Sequence, residues 1–600
     1  MPKAGDSKMN KLKRDIAIAA LALVASVWAV WFQSGGFEYI RLDDNIFVFD
    51  FSAVAGGLSI EGIRGVFSNF TQGGIWMPMT SITYMADISL FGATPGVHHL
   101  SSVGWHTANT LLLFALLLRL ARRWMREGEP LPVFACVLAA LFWAVHPLRN
   151  ESVAWIASRK DLVFSFFTFL GLHAWLRRDM TGRLLGWICC ALACLSKPTA
   201  MVFPFIALIL DLIAADEDET LPARLRHVRW WSYAPLLLMA FATGCVAIYS
   251  QTHSTGVDAD VRGLYEGYGS LPWRCLNAAV AVGLYIAQTV VPVGVHVMYR
   301  SIVGGAPQGL WIGLAVLAAS GCALFLCVRG RKGGAALLPL LAVGWFIVAI
   351  GPTLGVAGGF GNQARADRFL YLPAVGFSIL IAWGLAKMHL RRAWLVVCAL
   401  LAAGYGYAAW RNAKTYATDY TLFSRVLEWD DRHDLALAHV GSELCARYGM
   451  PDEGIECFRR AMAANPKAED TAAQLVFALA TRGRREDHGE IRQYCSKLLA
   501  EPELDEKGLA TEALGMITMK EMKWDDAIRF FNASIHAPKR TQPPDTAMIR
   551  LGMCYHNKGD LDRAERAFAY LAHSATDPKV KARSQQALQD IWKRKGTNKQ

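Results

Sequence analysis

Apolar residues come in blocks as far as about Trp410, and short loops rich in polar and basic residues separate them. A membrane-spanning helix needs about 20 such residues, with a workable range of about 17 to 25. By that measure the blocks at 15–33, 99–118, 132–147, 161–176, 184–197, 199–215, 232–250, 310–328, 335–353, 373–387 and 393–410 predict spans. A further block at 273–293 is also long enough, so the count turns on parity. Basic clusters mark cytoplasmic span ends. Those at the N-terminus, at Arg119/Arg122/Arg123/Arg126, Arg177/Arg178/Arg183, Arg224/Arg226/Arg229, Arg329/Arg331/Lys332 and Arg391/Arg392 share one side only if 273–293 lies along the interface or re-enters. This predicts about eleven spans with a cytoplasmic N-terminus. Four polar segments then share the outer face: 34–98, 146–160, 251–309 and 354–372.

Beyond Trp410 charged residues recur every few positions and no long apolar run remains. The chain divides into a multi-span domain at 1–410, with a first outer loop at 34–98, an amphipathic helical domain at 411–592, and a frayed tail at 593–600. Gly449, Gly454, Phe458, Ala461 and Pro466 in one unit, and Gly552, Tyr555, Gly559, Ala564 and Phe568 in another, fill the small and aromatic positions of a tetratricopeptide (TPR) repeat. Gly515, Ala527 and Phe531 mark a further unit, and the stretch from Leu475 to Leu499, with Gly483, a degenerate one. About four units make a self-supporting solenoid. The expected fold is all-α: a polytopic membrane bundle followed by a TPR-like α-solenoid.

Composition sharpens this picture. The 54% hydrophobic content exceeds the 45–50% that is roughly usual for soluble domains. The net charge of +12 sits largely in short clusters at block ends, as topology signals do, so no nucleic-acid partner is expected. The 13 cysteines lie singly or in the Cys189–Cys190 pair, without a CxxC or His spacing that suits zinc; they read as small core residues, and no metal site is expected. Lys3, Lys8, Lys11, Lys13 and Arg14 precede the apolar run from Ile16 to Phe32, which lacks a small-residue cleavage site and reads as a retained first span.

The candidate chemistry lies on the outer face. Arg41-Leu42-Asp43-Asp44-Asn45 follows the first span, and adjacent carboxylates repel one another, which suits a base toward an acceptor hydroxyl. A solvated loop with an Asp capping a helix explains the same dipeptide. His146-Pro147-Leu148-Arg149-Asn150-Glu151-Ser152 and Ser158-Arg159-Lys160-Asp161 place three cations in an outer loop, against the positive-inside tendency; pairing of Arg149 with Glu151 and of Lys160 with Asp161 is the plain explanation. Ser196-Lys197-Pro198 and the stretch from Gln363 to Pro373, with Arg365 and Arg368, set further cations against the outer ends of helices, where snorkelling accounts for each alone. Together they form an inventory for lipid-linked sugar transfer: a phosphate leaving group gains charge as its bond to sugar breaks, so fixed cations serve it, and one carboxylate is left as base. Trp76, by Pro78, and His98-His99 would hold a sugar or acceptor through stacking and hydrogen bonds, or serve the fold.

These stretches resemble the TMTC-type group of GT-C glycosyltransferases, relatives of the protein O-mannosyltransferases that join a multi-span catalytic part to C-terminal TPRs. The resemblance is carried by Leu42-Asp43-Asp44, Phe91-Gly92 with Gly96-Val97-His98-His99-Leu100, His146-Pro147-Leu148 through Glu151-Ser152-Val153-Ala154-Trp155 to Arg159-Lys160-Asp161, Ser196-Lys197-Pro198, and Ala366-Asp367-Arg368-Phe369-Leu370-Tyr371-Leu372-Pro373. It implies a GT-C bundle with its site on the outer face, a polyprenyl-phosphate sugar as donor, and Asp43 or Asp44 as base. It implies no cofactor, although other GT-C enzymes use a divalent cation. One departure is Met77 in Trp76-Met77-Pro78, where relatives often carry His or Arg, so mannose is not assumed. The expected function is an inverting transfer to an acceptor, a protein Ser or Thr hydroxyl gathered by the TPR domain. The alternative is an inactive, membrane-anchored TPR scaffold. The sequons at Asn69, Asn150 and Asn532 fall on the presumed outer side, and a glycan on Asn150 would obstruct the proposed site loop. That favours a bacterial inner membrane with the repeats in the periplasm over the ER with lumenal repeats.

Overall fold

A computed structural model of the chain describes residues 4–124, 129, 131–215, 219–253, 270–299, 307–329, 334–356, 365–387, 392–500, 508–538, 544–575 and 577–597. Lys3, Arg126, Arg331, Lys332, Gln363, Ala364 and Arg391, used above, lie outside them, as does much of the 251–309 segment. Every regular element among the described residues is helical. The chain forms two compact units, Met1–Leu422 and Phe423–Gln600.

The first unit follows the apolar blocks. Among the described residues, four helices are long and apolar enough to cross a membrane: Met9–Gly36, Pro95–Trp124, Trp230–Thr252 and Gly309–Val328. Shorter apolar helices occupy Met180–Cys194, Pro198–Ile213, Leu337–Thr353 and Val375–Lys387. The 161–176 block lies in the 17-residue helix Arg159–Trp175, and the 273–293 block forms the 20-residue helix Leu271–Val290. Such a set of apolar helices makes this an integral membrane protein.

The expected span at 132–147 ends in a bend. Val133–Ala144 and Pro147–Ala154 meet at 57°. Pro147 has no N–H to continue the helix and pushes His146 to an extended backbone, φ −70° and ψ 136°. What reads as a polar outer loop at 146–160 is therefore a chain of short helical turns with nearly every side chain buried.

The Pro95–Trp124 helix organises this end of the bundle. At 30 residues it extends about 45 Å. His98, Ser102, His106 and Asn109 recur at spacings of three and four on one face, and all are buried. Ser102 Oγ accepts from Arg159 Nε at 3.2 Å; His106 Nδ1 and Asn109 Nδ2 lie 2.7 and 3.1 Å from the Tyr371 hydroxyl; Asn109 Nδ2 also donates to Leu162 O at 2.9 Å. One polar stripe thus ties together stretches that lie far apart in the chain.

The second unit is a run of helical hairpins: Asp434–Ala446 with Pro451–Ala464, Glu469–Arg482 with His488–Leu498, Leu509–Lys520 with Trp524–Ile535, and Asp545–Lys558 with Leu561–Ser574, followed by Pro578–Thr597. Helical structure thus continues through Lys593, where a frayed tail was expected, and Lys595 pairs with Asp562 and Glu565 at 2.5 and 2.6 Å. Two of the hairpins close by one device. A Cβ on Gly515 would lie 2.8 Å from the Phe531 ring, and one on Gly552 would lie 2.9 Å from Phe568, so only glycine lets the ring seat against the facing helix.

Candidate functional site

The described parts of the segments expected on the outer face converge within the first unit. Residues 37–40 leave the first helix without regular structure, so their amides must find other partners. Asp44 supplies one: its carboxylate accepts from Ile40 N–H and from Ala157 N–H, each at 2.8 Å, and is fully buried. It thereby clamps the first loop to the turn preceding Arg159-Lys160-Asp161. Burial, opposed by those two hydrogen bonds, pushes its carboxyl up to about 7. A neutral Asp44 relieves the repulsion expected of adjacent carboxylates.

Asp43 is placed differently. Its side chain is 31% exposed, and Oδ2 lies 4.0 Å from Lys160 Nζ. Lys160 is buried with its ammonium 4.8 Å from the centre of the Phe47 ring. Around this pair stand two buried ion pairs, Lys197–Asp161 at 2.6 Å and Arg368–Glu151. Glu151 Oε2 also accepts from Arg368 N–H at 2.8 Å. Lys160 feels the charges of Asp43, Arg368, Lys197 and Asp161, so the six groups form one electrostatic cluster. Carboxylates within hydrogen-bond reach offset Lys197 and Arg368, whereas Lys160 has its nearest acid at 4.0 Å.

Beside this cluster opens a cleft with room for about one water molecule, about 10 Å³. Asp161, Lys197, Thr199, Thr353 and Arg368 form its polar part; Phe164, Val202, Ala349, Phe369 and Leu372 supply apolar wall. Asp161 Oδ2 and Thr199 Oγ1 are buried there without a hydrogen-bond partner. Cations beside apolar wall suit a ligand that is an anion at one end and a hydrocarbon at the other.

The remaining expected residues lie around this centre with protein partners. Arg159 pairs with Asp87 at 2.6 Å, donates to His98 O at 2.6 Å and stacks over Tyr84 at 4.6 Å. His98 Nδ1 lies 3.0 Å from the same Asp87 oxygen, and His99 Nε2 lies 3.2 Å from Glu38 O. Arg149 donates to Leu370 O at 2.9 Å and rests 5.6 and 5.5 Å from the Trp143 and Tyr371 rings. His146 Nε2 lies 3.0 Å from Thr289 O, while its Nδ1 accepts from Leu148 N–H. Arg365 donates to Gln288 Oε1 at 3.0 Å and stacks over Tyr299 at 4.0 Å. Trp76 stacks on Phe70 at 4.8 Å and donates to Phe67 O.

The ion pairs differ from those adjacency suggests: Glu151 binds Arg368 rather than Arg149, and Asp161 binds Lys197 rather than Lys160. Residues one or two apart in a helix point in different directions, which leaves each carboxylate free for a distant partner. Sequence reasoning did not single out Asp87, Thr199 or Tyr299. Asp87, a lone acid within the apolar helix Pro78–Phe91, carried the clearest signal. Among the described residues, no three His, Cys, Asp or Glu side chains gather in a group able to hold a metal ion.

No family model matches the chain. It is similar to the protein O-mannosyl-transferase TMTC2 of Mus musculus, at 24% identity over 146 residues, which cover 23% of this chain and 16% of the relative. The similarity is distant, and the match spans less than a fifth of that protein.

Proposed function

We propose that this protein is a GT-C-type membrane glycosyltransferase that moves a sugar from a polyprenyl-phosphate carrier to an acceptor hydroxyl on the face away from the cytosol, with Asp43 as base. The observation that carries the reading is the placement of Asp43: a partly exposed carboxylate 4.0 Å from Lys160, in one cluster with Lys197 and Arg368. Asp44 is fully buried and held by two amides, which suits a positioning role.

In the proposed reaction the acceptor oxygen attacks the anomeric carbon as its proton passes to Asp43. The bond from that carbon to the phosphate oxygen breaks, the electron pair leaves with the phosphate, and attack from the opposite side inverts the centre. Lys160, Lys197 and Arg368 meet the charge that develops on the leaving group, and fixed cations there favour the transition state over the ground state. The helical hairpins of the second unit, read as TPR-like repeats, present an acceptor polypeptide, and the mouse relative's description as a protein O-mannosyl-transferase supports a protein hydroxyl as acceptor. A bacterial inner membrane with the repeats in the periplasm is the proposed setting.

The test uses the full chain in proteoliposomes with polyprenyl-phosphate mannose and with other polyprenyl-phosphate sugars. Loss of a general base predicts that Asp43→Asn lowers kcat roughly 100- to 10,000-fold. Wild-type turnover in that variant overturns the assignment. A wild type inert with every donor, yet still capturing partner polypeptides, points to the scaffold alternative.

A further inference from the structure

The last stretch of the first unit crosses back over the segment that carries the acidic pair. Glu38 N–H donates to Ala417 O at 2.9 Å, and Arg41 N–H donates to Asp419 Oδ1 at 2.8 Å. Just before it, Gln33 Nε2 donates to Trp410 O at 2.6 Å. Tyr416 and Asp419 are both buried. The Tyr416 phenol lies close enough to feel the charges of Glu151, Asp367 and Arg368. The strap at 414–419 therefore holds the backbone before Asp43, with the Tyr416 phenol within electrostatic reach of the ion-pair cluster.

The geometry at residues 40 and 41 gives the contact its meaning. Residues 37–40 belong to no regular element, and two successive amides there are taken by carboxylates, Ile40 by Asp44 and Arg41 by Asp419. Asp43 follows two residues after the second anchor and immediately precedes the residue that supplies the first. Its direction depends on peptides held at both points, and reactions of oriented groups fall off steeply when a reacting group is displaced by about 1 Å.

We propose that Asp419 is a positioning residue for sugar transfer, its carboxylate fixing the Arg41 peptide and thereby the direction in which Asp43 is presented beside Lys160. This rests on the transferase reading above.

The full chain in proteoliposomes, assayed with a polyprenyl-phosphate sugar that the wild type uses, tests this through a split between kcat and KM. Loss of a hydrogen bond to a charged acceptor predicts that Asp419→Ala lowers kcat about 10- to 100-fold while KM for the lipid donor stays within about twofold. Asp419→Asn keeps an acceptor oxygen, and about one-third or more of wild-type kcat is expected. Wild-type kcat in Asp419→Ala, or equal losses in the two variants, overturns the proposal. Hydrogen exchange on the wild type gives a second reading that needs no variant: the Glu38 and Arg41 amides should exchange slowly and together. Rapid exchange at both in the folded protein overturns the strap contact alone. A wild type that transfers no sugar overturns the transferase reading, and the catalytic role of Asp419 with it.

Discussion

Asp44→Asn exchanges a titrating buried carboxyl for an amide of almost the same shape, so two opposing effects can be separated by pH. Folding raises the Asp44 carboxyl from 3.8 to about 7, chiefly through burial. A shift of about three units corresponds to about 4 kcal/mol. For a raised carboxyl the sign is fixed. Below about pH 4 the folded and unfolded chains both hold the proton, and the group's contribution is fully present. As pH rises the unfolded chain ionises first, so stability falls between about pH 4 and 7 and stays lower above the folded value. The Asn variant escapes this loss but has a single acceptor oxygen for the Ile40 and Ala157 amides, and one N–H left unpaired costs about 1–3 kcal/mol at every pH. The variant should therefore be less stable than the wild type near pH 4.5 and more stable, by about 1–3 kcal/mol, at pH 8. Thermal midpoints of both proteins, measured side by side in one detergent from pH 4.5 to 8.5, give the difference directly. A difference that does not change across this interval would refute the argument, because it would mean that Asp44 keeps one protonation state throughout.

Other outcomes follow from the same structure. Lys197→Ala strands the Asp161 carboxylate without its 2.6 Å partner, at a cost of about 3–5 kcal/mol in thermal or denaturant unfolding. Asp161→Asn with Lys197→Met should recover most of that loss while sugar transfer stays absent, which separates the pair's structural part from its proposed role in meeting phosphate. In the second unit Gly552→Ala drives a Cβ to 2.9 Å from the Phe568 ring and should destabilise the last hairpins by about 1–3 kcal/mol. Hydrogen exchange should then quicken in Asp545–Lys558 and Leu561–Ser574 with little change in the first unit.

The helical character of the chain could be read from residue order because it follows from local pattern, long apolar runs in the first part and amphipathic spacing in the second; the two compact units divide at Leu422/Phe423, beyond the change of composition near Trp410. The candidate site was legible as an inventory but not as an arrangement. Asp43, Glu151, Lys160, Lys197 and Arg368 were picked out by charge in the wrong place for a membrane protein, and the structure gathers these five. Arg149 and Arg159 drew notice for the same reason, and His98 and His99 as groups able to hold a sugar or acceptor, yet they meet Leu370 O, Asp87 and Glu38 O in the surrounding framework. A sequence gives charge and depth but not direction, and direction separates the two sets.

That distinction bears on how the acidic pair works. Two neighbouring carboxylates with equal access to water would differ little, and neither would have a fixed heading. Here the peptide between them turns one inward and leaves the other partly open. Asp44, with two amide donors and no exposure, ties the first loop to the turn before Lys160; Asp43, 31% exposed, stays partly open beside Lys160. The inward residue spends its hydrogen-bonding capacity on backbone, so it contributes geometry, and the outward one retains capacity for a substrate proton. Exchanging the two roles would require the 40–44 backbone to reverse, breaking the anchors at Ile40 and Arg41 together.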